Sequence, residues 1–273
     1  MSRLNCFSRW FGVGQGALPA LIVAASKERP LIASLEQFLP DDLAPDLIFR
    51  LENLGTFLDS LKRLGITEVC FAGSIRRPEI NINLIDDRTK KISDQLLEAI
   101  NLGDDKALGA VIKIFETSGF NVVGMDAVMP NYFPESGIMT KRLPSLVNKQ
   151  DAKRAELVLN QLSPLDVGQG CIIANNHVLA IEAFGGTDWM LRSIFQRPLS
   201  WPEGGILFKS LKIGQDRRVD VPAIGPDTIT QAKESGLSGI VIQHRDVVVL
   251  NRDYVIKKAN ELDLFIWVRE ADI

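Results

Sequence analysis

Asp46-Leu47-Ile48-Phe49-Arg50, the run Leu51 to Gly65, and Thr67-Glu68-Val69-Cys70-Phe71-Ala72-Gly73-Ser74 form the stretch that decides the fold. Residues 46–50 read as a short apolar strand. Leu54, Phe57, Leu58, Leu61 and Leu64 then recur at helical spacing, and Gly65 stops the helix. Residues 67–72 are β-branched and apolar and read as a buried strand ending at Gly73-Ser74. Strand, helix and strand make a βαβ unit, which implies a parallel sheet with a right-handed crossover.

Outward from this unit the alternation continues. Ile92, Leu96, Leu97 and Ile100 make one helical stripe, and Leu108, Val111, Ile112 and Phe115 make the next, with Gly103-Asp104-Asp105 between them. Residues 120–124 read as a strand. Pro130, Pro134, Gly137 and Pro144 change the character of the chain, so 131–150 is expected as a linker between domains 1–130 and 151–273. The second half reads as helix 151–162, strand 170–174, an Asn175-Asn176 hairpin turn and strand 178–183. A helix after Gly185-Gly186-Thr187-Asp188 and a strand 206–209 follow. Next come a helix from Pro226 and strands 240–243 and 247–250 around a His-Arg-Asp turn. Helix 252–262 and strand 264–268 end the chain. The fold class is α/β, a Rossmann-like N-terminal domain with a distinct mixed α/β C-terminal domain.

The chain has 273 residues, 46% apolar and 24% charged, with a net charge of −3. That suits a globular protein with a sizeable core and gives no electrostatic case for nucleic-acid binding. Cys6, Cys70 and Cys171 are odd in number and far apart, which argues for a reducing compartment and against structural zinc. No run suits a membrane span or a signal peptide, so the expected location is cytoplasmic.

The chemistry concentrates in Lys209 to Gly225. Asp216 and Asp220 bracket Arg217-Arg218, with Lys209 and Lys212 upstream. Two readings fit: a solvated turn with surface ion pairs, or a site for a phosphorylated ligand and a divalent metal. Carboxylates suit Mg²⁺ or Mn²⁺ and guanidinium forks suit phosphate. Gly12-Val13-Gly14-Gln15-Gly16 precedes a helix and could bring backbone close to a phosphate, with Gly12 and Gly14 the candidates. Its spacing is not the dinucleotide fingerprint, and Arg9 and Trp10 make a poor strand before it. A nicotinamide oxidoreductase would need that loop. Asp104 and Asp188 each read either as a helix cap or as a site carboxylate. His177 and His244 read as turn residues.

Asp166-Val167-Gly168-Gln169, Glu182-Ala183, Gly186-Thr187-Asp188, Lys209, Gln215 to Asp220 and Pro222 to Gly225 occur in one order, joined upstream by Gly73, Arg77-Pro78 and Gly103-Asp104-Asp105. In these motifs the chain resembles the UDP-2,3-diacylglucosamine pyrophosphatase family of lipid A biosynthesis, the type unrelated to calcineurin-like phosphoesterases. The resemblance implies Mg²⁺-dependent hydrolysis of a lipid-linked UDP-sugar to UMP and 2,3-diacylglucosamine 1-phosphate. It also implies a homodimer with at most peripheral inner-membrane contact. On that reading Asp220 is the essential carboxylate and Asp216 the second, both catalytic and metal-binding, with Glu182 and Asp104 as further metal candidates. Lys209, Arg217 and Arg218 hold phosphate oxygens, and Gln169, Thr187 and Asp188 meet the nucleotide or sugar. The competing class is a non-catalytic nucleotide-sugar binding or sensing module, which the paired carboxylates disfavour because they would repel a phosphate without a metal.

Overall fold

The computed structural model describes residues 9–16, 18–26, 28–73, 75, 78–92, 94, 104–218 and 221–271. They fall into two units, Met1–Pro130 with Arg218–Asp220, and Asn131–Arg217 with Val221–Ile273.

The strands of the first unit are β1 (Arg9–Val13), β2 (Leu31–Leu35), β3 (Leu47–Phe49), β4 (Glu68–Ala72) and β5 (Asn121–Val122). They form one sheet in the order β3-β2-β1-β4-β5, every pair parallel. This is the strand order of doubly wound α/β sheets. The decisive βαβ unit therefore spans β3, helix α2 (Leu54–Arg63) and β4, with β2 and β1 lying between its two strands. Helix α1 (Leu18–Ala25) follows β1. The strand judged poor in the sequence, Arg9–Val13, is the central strand. Its pairing on both sides overrides the weak propensity of Arg9 and Trp10. β2, unread in the sequence, is buried along its whole length.

Leu54, Phe57, Leu58 and Leu61 bury one face of α2 against Leu31, Ala33 and Val69. Helix α3 (Asp104–Thr117) adds Ile112 and Phe115 to the same core. Phe115 meets Phe71 edge-on at 5.2 Å, an arrangement that the ring quadrupoles favour. Gly65 ends α2 at φ 75°, where a side chain would be strained. Of the stripe Ile92 to Ile100, Ile92 closes a short 3₁₀ turn, Thr89–Ile92, and residues 95–100 lie outside the described residues. Helix α4 (Met125–Val128) is a single turn near the end of the unit.

The expected linker 131–150 instead belongs to the second unit. Its Gly137–Ile138 is strand β6, antiparallel to β13 (Phe265–Arg269), and Ser145 caps helix α5 (Leu146–Leu162). Composition hid this because a two-residue edge strand carries no periodicity. The Ser145 hydroxyl accepts the Asn148 N–H, which starts α5 five residues before the expected Asp151.

The remaining strands are β7 (Gly170–Ala174), β8 (His177–Ile181), β9 (Ile206–Lys209), β10 (Ala223–Ile224), β11 (Gly239–Gln243) and β12 (Val248–Val249). Six strands form a mixed sheet, β6-β13-β11-β9-β7-β8, and β10 pairs with β12. β9, β11 and β13 are mutually parallel, β7 is antiparallel to β9, and β8 is antiparallel to β7. The Asn175-Asn176 turn joins β7 to β8 with φ of 48° and 66°, as a tight hairpin of two left-handed residues requires.

Alternation along the strands gives this sheet two apolar faces. Cys171, Ile173, Phe208, Val241 and Phe265 pack against Ala152, Ala155 and Leu159 of α5. Ile172, Leu207, Ile240, Ile242 and Ile266 pack against three helices: α6 (Gly186–Ser193), α7 (Pro226–Glu234) and α8 (Arg252–Glu261). One edge of the sheet thus gathers the carboxyl ends of β8, β9, β11 and β13 and the amino end of β7.

Candidate functional site

The charged stretch begins at that edge. Lys209 closes β9 and is only 4% exposed. An ammonium so deeply buried needs a partner. Its Nζ donates to the Thr187 hydroxyl at 2.6 Å, and that hydroxyl donates to Glu182 Oε1 at 2.9 Å. Glu182 Oε2 lies 3.7 Å from the ammonium and, among the described residues, accepts no hydrogen bond. Local backbone arranges this triad. Glu182 directly follows β8, its N–H bonded to the Gly170 carbonyl, and Thr187 lies in the first turn of α6. Gly185 caps that helix without a side-chain bond, so the amino end of α6 adds its positive pole beside the triad.

Two glycines make the close approach possible. A Cβ on Gly168 would lie 2.1 Å from the Glu182 carbonyl oxygen, and one on Gly170 would lie 2.6 Å from Glu182 Oε2. Cys171 sits beneath, its thiol pushed far up by burial and then by the Glu182 charge, which keeps it protonated and inert.

The loop after Lys209 is tied down along its length. Ser210 N–H donates to the Gln169 carbonyl, Ile213 N–H donates to the Ser163 hydroxyl at 3.1 Å, and Lys212 Nζ pairs with Asp166. Gln169 Nε2 donates to Gln215 Oε1 at 3.2 Å, which also accepts the Lys212 N–H. Asp246 takes Arg217 Nη1 at 2.8 Å and the Leu211 N–H at 3.3 Å. Beyond the loop, the parallel pairing of β10 with β12 anchors the chain at Ala223, whose carbonyl is 3.5 Å from Lys209 Nζ.

The structure therefore brings Gln169, Glu182, Thr187, Lys209, Asp216 and Arg217 to one sheet edge, with Asp188 in the same first turn of α6. Asp216 is half-buried. Arg218 belongs to the first unit and pairs with Glu116 of α3. Asp220 lies outside the described residues, as do Arg77 and Gly103. Asp104 begins α3, but its side chain is not described. Gly12 is spent in the β1 ladder, Gly14 donates its N–H to the Ala72 carbonyl, and Gly16 donates to Asp41 Oδ2 at 2.8 Å. Sequence reasoning missed Asp246 and Asp166 as clamps on the loop. Asp246 had a signal, because it stands in the His-Arg-Asp turn just after β11.

Among the described residues no three His, Cys, Asp or Glu side chains converge to hold an ion. Mg²⁺, however, commonly takes one or two carboxylates and completes its shell with substrate phosphates and water. Of the two carboxylates expected to hold such an ion, Asp216 is half-buried and Asp220 lies outside the described residues. Glu182 suits it poorly, because the Lys209 ammonium already faces its open oxygen. A cavity of about 230 Å³ lined by Arg142, Asp151, Asn175 and Glu203 lies at the opposite edge of the sheet, remote from this chemistry.

Two family models match the chain: "LpxI N-terminal domain" over residues 13–132 and "LpxI C-terminal domain" over residues 135–267. A protein of Caulobacter vibrioides named UDP-2,3-diacylglucosamine pyrophosphatase LpxI is 33% identical over 263 residues, covering 93% of this chain and 94% of that one.

Proposed function

Because the chain belongs to the LpxI family, we propose that it hydrolyses the diphosphate of UDP-2,3-diacylglucosamine to UMP and 2,3-diacylglucosamine 1-phosphate, a step of lipid A synthesis. The observation that carries this reading is the relationship to that relative over nearly the full length of both chains, which takes in the whole charged edge. The geometry supports it. Cleaving a phosphoanhydride mainly requires neutralising charge and placing water in line, and a buried Lys209 beside the amino end of α6 offers fixed positive charge. Arg217, held by Asp246, supplies a guanidinium fork at the rim. In this reading Thr187, Asp188 and Gln169 contact the nucleotide or sugar.

In this reading Asp216 and Asp220 are the residues that would hold Mg²⁺, and the ion would supply further charge neutralisation at the diphosphate. Asp220 is the essential carboxylate of this reading. Glu182 keeps the Lys209 ammonium in register, and Thr187 bridges the two. The same reading carries with it a homodimer on the cytoplasmic side, with at most peripheral contact with the inner membrane.

The test is UMP release from UDP-2,3-diacylglucosamine with Mg²⁺ and with excess EDTA, for the native chain and Asp220→Ala. Metal-dependent release, lowered by about 10³-fold in the variant, is the expected result. Substrate binding without release under any divalent ion would overturn the reading and leave a nucleotide-sugar binding protein.

A further inference from the structure

The cavity of about 230 Å³ lies at the edge of the second sheet opposite the charged one. Local backbone brings its walls together. Asp151 of α5 accepts the Asn176 N–H through Oδ1 at 2.6 Å, which ties the β7–β8 hairpin to the helix and sets Asn175 in the cavity wall. Gly205 has φ 93°, and a Cβ on it would lie 2.5 Å from the Ile173 carbonyl oxygen. The segment before β9 therefore lies directly on the end of β7, and its Glu203 joins the same wall. The Ser238 N–H donates to the Gly205 carbonyl and adds the residue before β11.

The polar groups in these walls divide into two sets. Ser145 and Asn148 are spent on capping α5, the Ser145 N–H and hydroxyl both donating to Asn148 Oδ1. Arg142 donates to Asp263, to its carbonyl at 2.5 Å and to its Oδ2 at 3.1 Å. The second set has no such use. Asp151 is only 1% exposed, and among the described residues its Oδ2 accepts no hydrogen bond. The side chains of Glu203, Asn175 and Ser238 make no hydrogen bond or ion pair among the described residues either. A carboxylate oxygen buried without a donor is costly. Here a second carboxylate shares the cavity, and the lining arginine is engaged by Asp263.

That charge balance sets the sign of the occupant, and the donor set narrows its type. Two carboxylates with an amide and a hydroxyl oxygen are hard ligands, and no Cys or His lines the cavity. Such a set suits Ca²⁺, which takes carboxylates, Asn carbonyls and water together, and does not suit zinc. The volume leaves room for an ion with several waters at about 30 Å³ each. We propose that Asp151, Glu203, Asn175 and Ser238 form a second cation site, for Ca²⁺ or a like divalent ion with part of its water. The ion ties α5, the β7–β8 hairpin and the segment before β9 together. The site stands apart from the charged edge and does not depend on the proposed function.

The experiment is calorimetric titration of the metal-stripped full chain with Ca²⁺, and separately with Mg²⁺, beside Asp220→Ala, Asp151→Asn and Glu203→Gln. The native chain and Asp220→Ala bind one Ca²⁺ in common, with Kd in the range of about 10⁻⁴–10⁻³ M that few charged ligands allow. Asp151→Asn weakens that binding by about tenfold or more, because it removes one of two ligand charges. Asn keeps an acceptor for the Asn176 N–H, so the hairpin tie persists. Glu203→Gln, at an exposed position outside the core, weakens binding in the same direction. Hydrogen exchange at the Asn176 N–H slows with Ca²⁺ in the native chain and not in Asp151→Asn. Both variants keep UMP release within about twofold of the native rate, as changes away from the chemistry should. No binding of either ion well above that concentration range leaves the cavity to water and overturns the site. So does equal affinity in Asp151→Asn and the native chain, and so does loss of all binding in Asp220→Ala, which would put the bound ion at the charged edge.

Discussion

The glycine-lined edge of the first sheet and the charged edge of the second manage polar groups in opposite ways. At the first, the donors are backbone N–H groups: Gly14 to the Ala72 carbonyl, Gly16 to the exposed Asp41 carboxylate, and Gly12 within the ladder. At the second, side chains are buried and satisfy one another through Lys209, Thr187 and Glu182. An edge built from backbone is sensitive to added atoms. An edge built from buried charge is sensitive to lost charge.

The largest expected effect tests the second half of that contrast. Lys209→Met leaves Glu182 buried without its counter-charge and should cost about 3–5 kcal/mol in unfolding free energy. Turnover should fall by about a hundredfold or more. Adding Glu182→Gln removes the orphaned charge, so stability should largely return while turnover does not. Thermal unfolding beside UMP release separates the two. A single variant that loses under about 1 kcal/mol, the cost of an exposed pair, would break the comparison.

The first half is tested by glycine. A Cβ on Gly73 would lie 2.9 Å from the Gly14 and Gln15 backbone at φ 89°, whereas Gly16 has φ 94° and nothing within 4 Å. Gly73→Ala should cost about 2–4 kcal/mol, strain plus clash. Gly16→Ala should cost about 1–2 kcal/mol, the left-handed strain alone. Equal losses in chemical unfolding would mean that the close approach of the two loops contributes nothing.

Asp246→Asn sharpens the contrast at the exposed rim. Arg217 is half exposed, so weakening its clamp should raise KM by about two- to fivefold with kcat nearly unchanged. A fall in kcat alone would move Arg217 from binding into the transition state.

The smallest effect is in acid. Burial pushes the Glu52 carboxyl up, but the Asn81 N–H and the Arg50 guanidinium outweigh it, so the group ends below its ordinary value. Asp86 is likewise lowered on balance, burial being outweighed by the Thr56 hydroxyl and the Thr89 N–H. Lowered carboxyls add stability above the unfolded value of about 4 and lose it as pH falls through the folded value. The first unit should therefore weaken below about pH 4. Glu52→Gln should flatten that slope in urea unfolding across pH, and an unchanged slope would remove Glu52 from the account.

Legibility tracked the range of the physics. The helix 54–63 and the strands at 68–72, 170–174 and 206–209 were readable because burial imposes a short period on the sequence. β6 and β10 were not, because two residues have no period and exist only through partners more than twenty residues away. At the site, Lys209, Thr187 and Glu182 were each singled out in the sequence, yet as separate contacts to phosphate, nucleotide and metal. Their closure into one buried hydrogen-bonded triad was not readable, and neither were the clamps at Asp246 and Asp166.

The sequence by itself determined the α/β class, the two-part chain and the identity of the charged residues, because local propensity, periodicity and turn chemistry act over a few positions. Only the tertiary structure decided that Arg9–Val13 is central, that residues 131–150 complete the second sheet, and that Glu182 faces an ammonium. Those outcomes depend on which strands pair and on which charges share a buried edge, and such long-range terms leave no mark on any single stretch of chain.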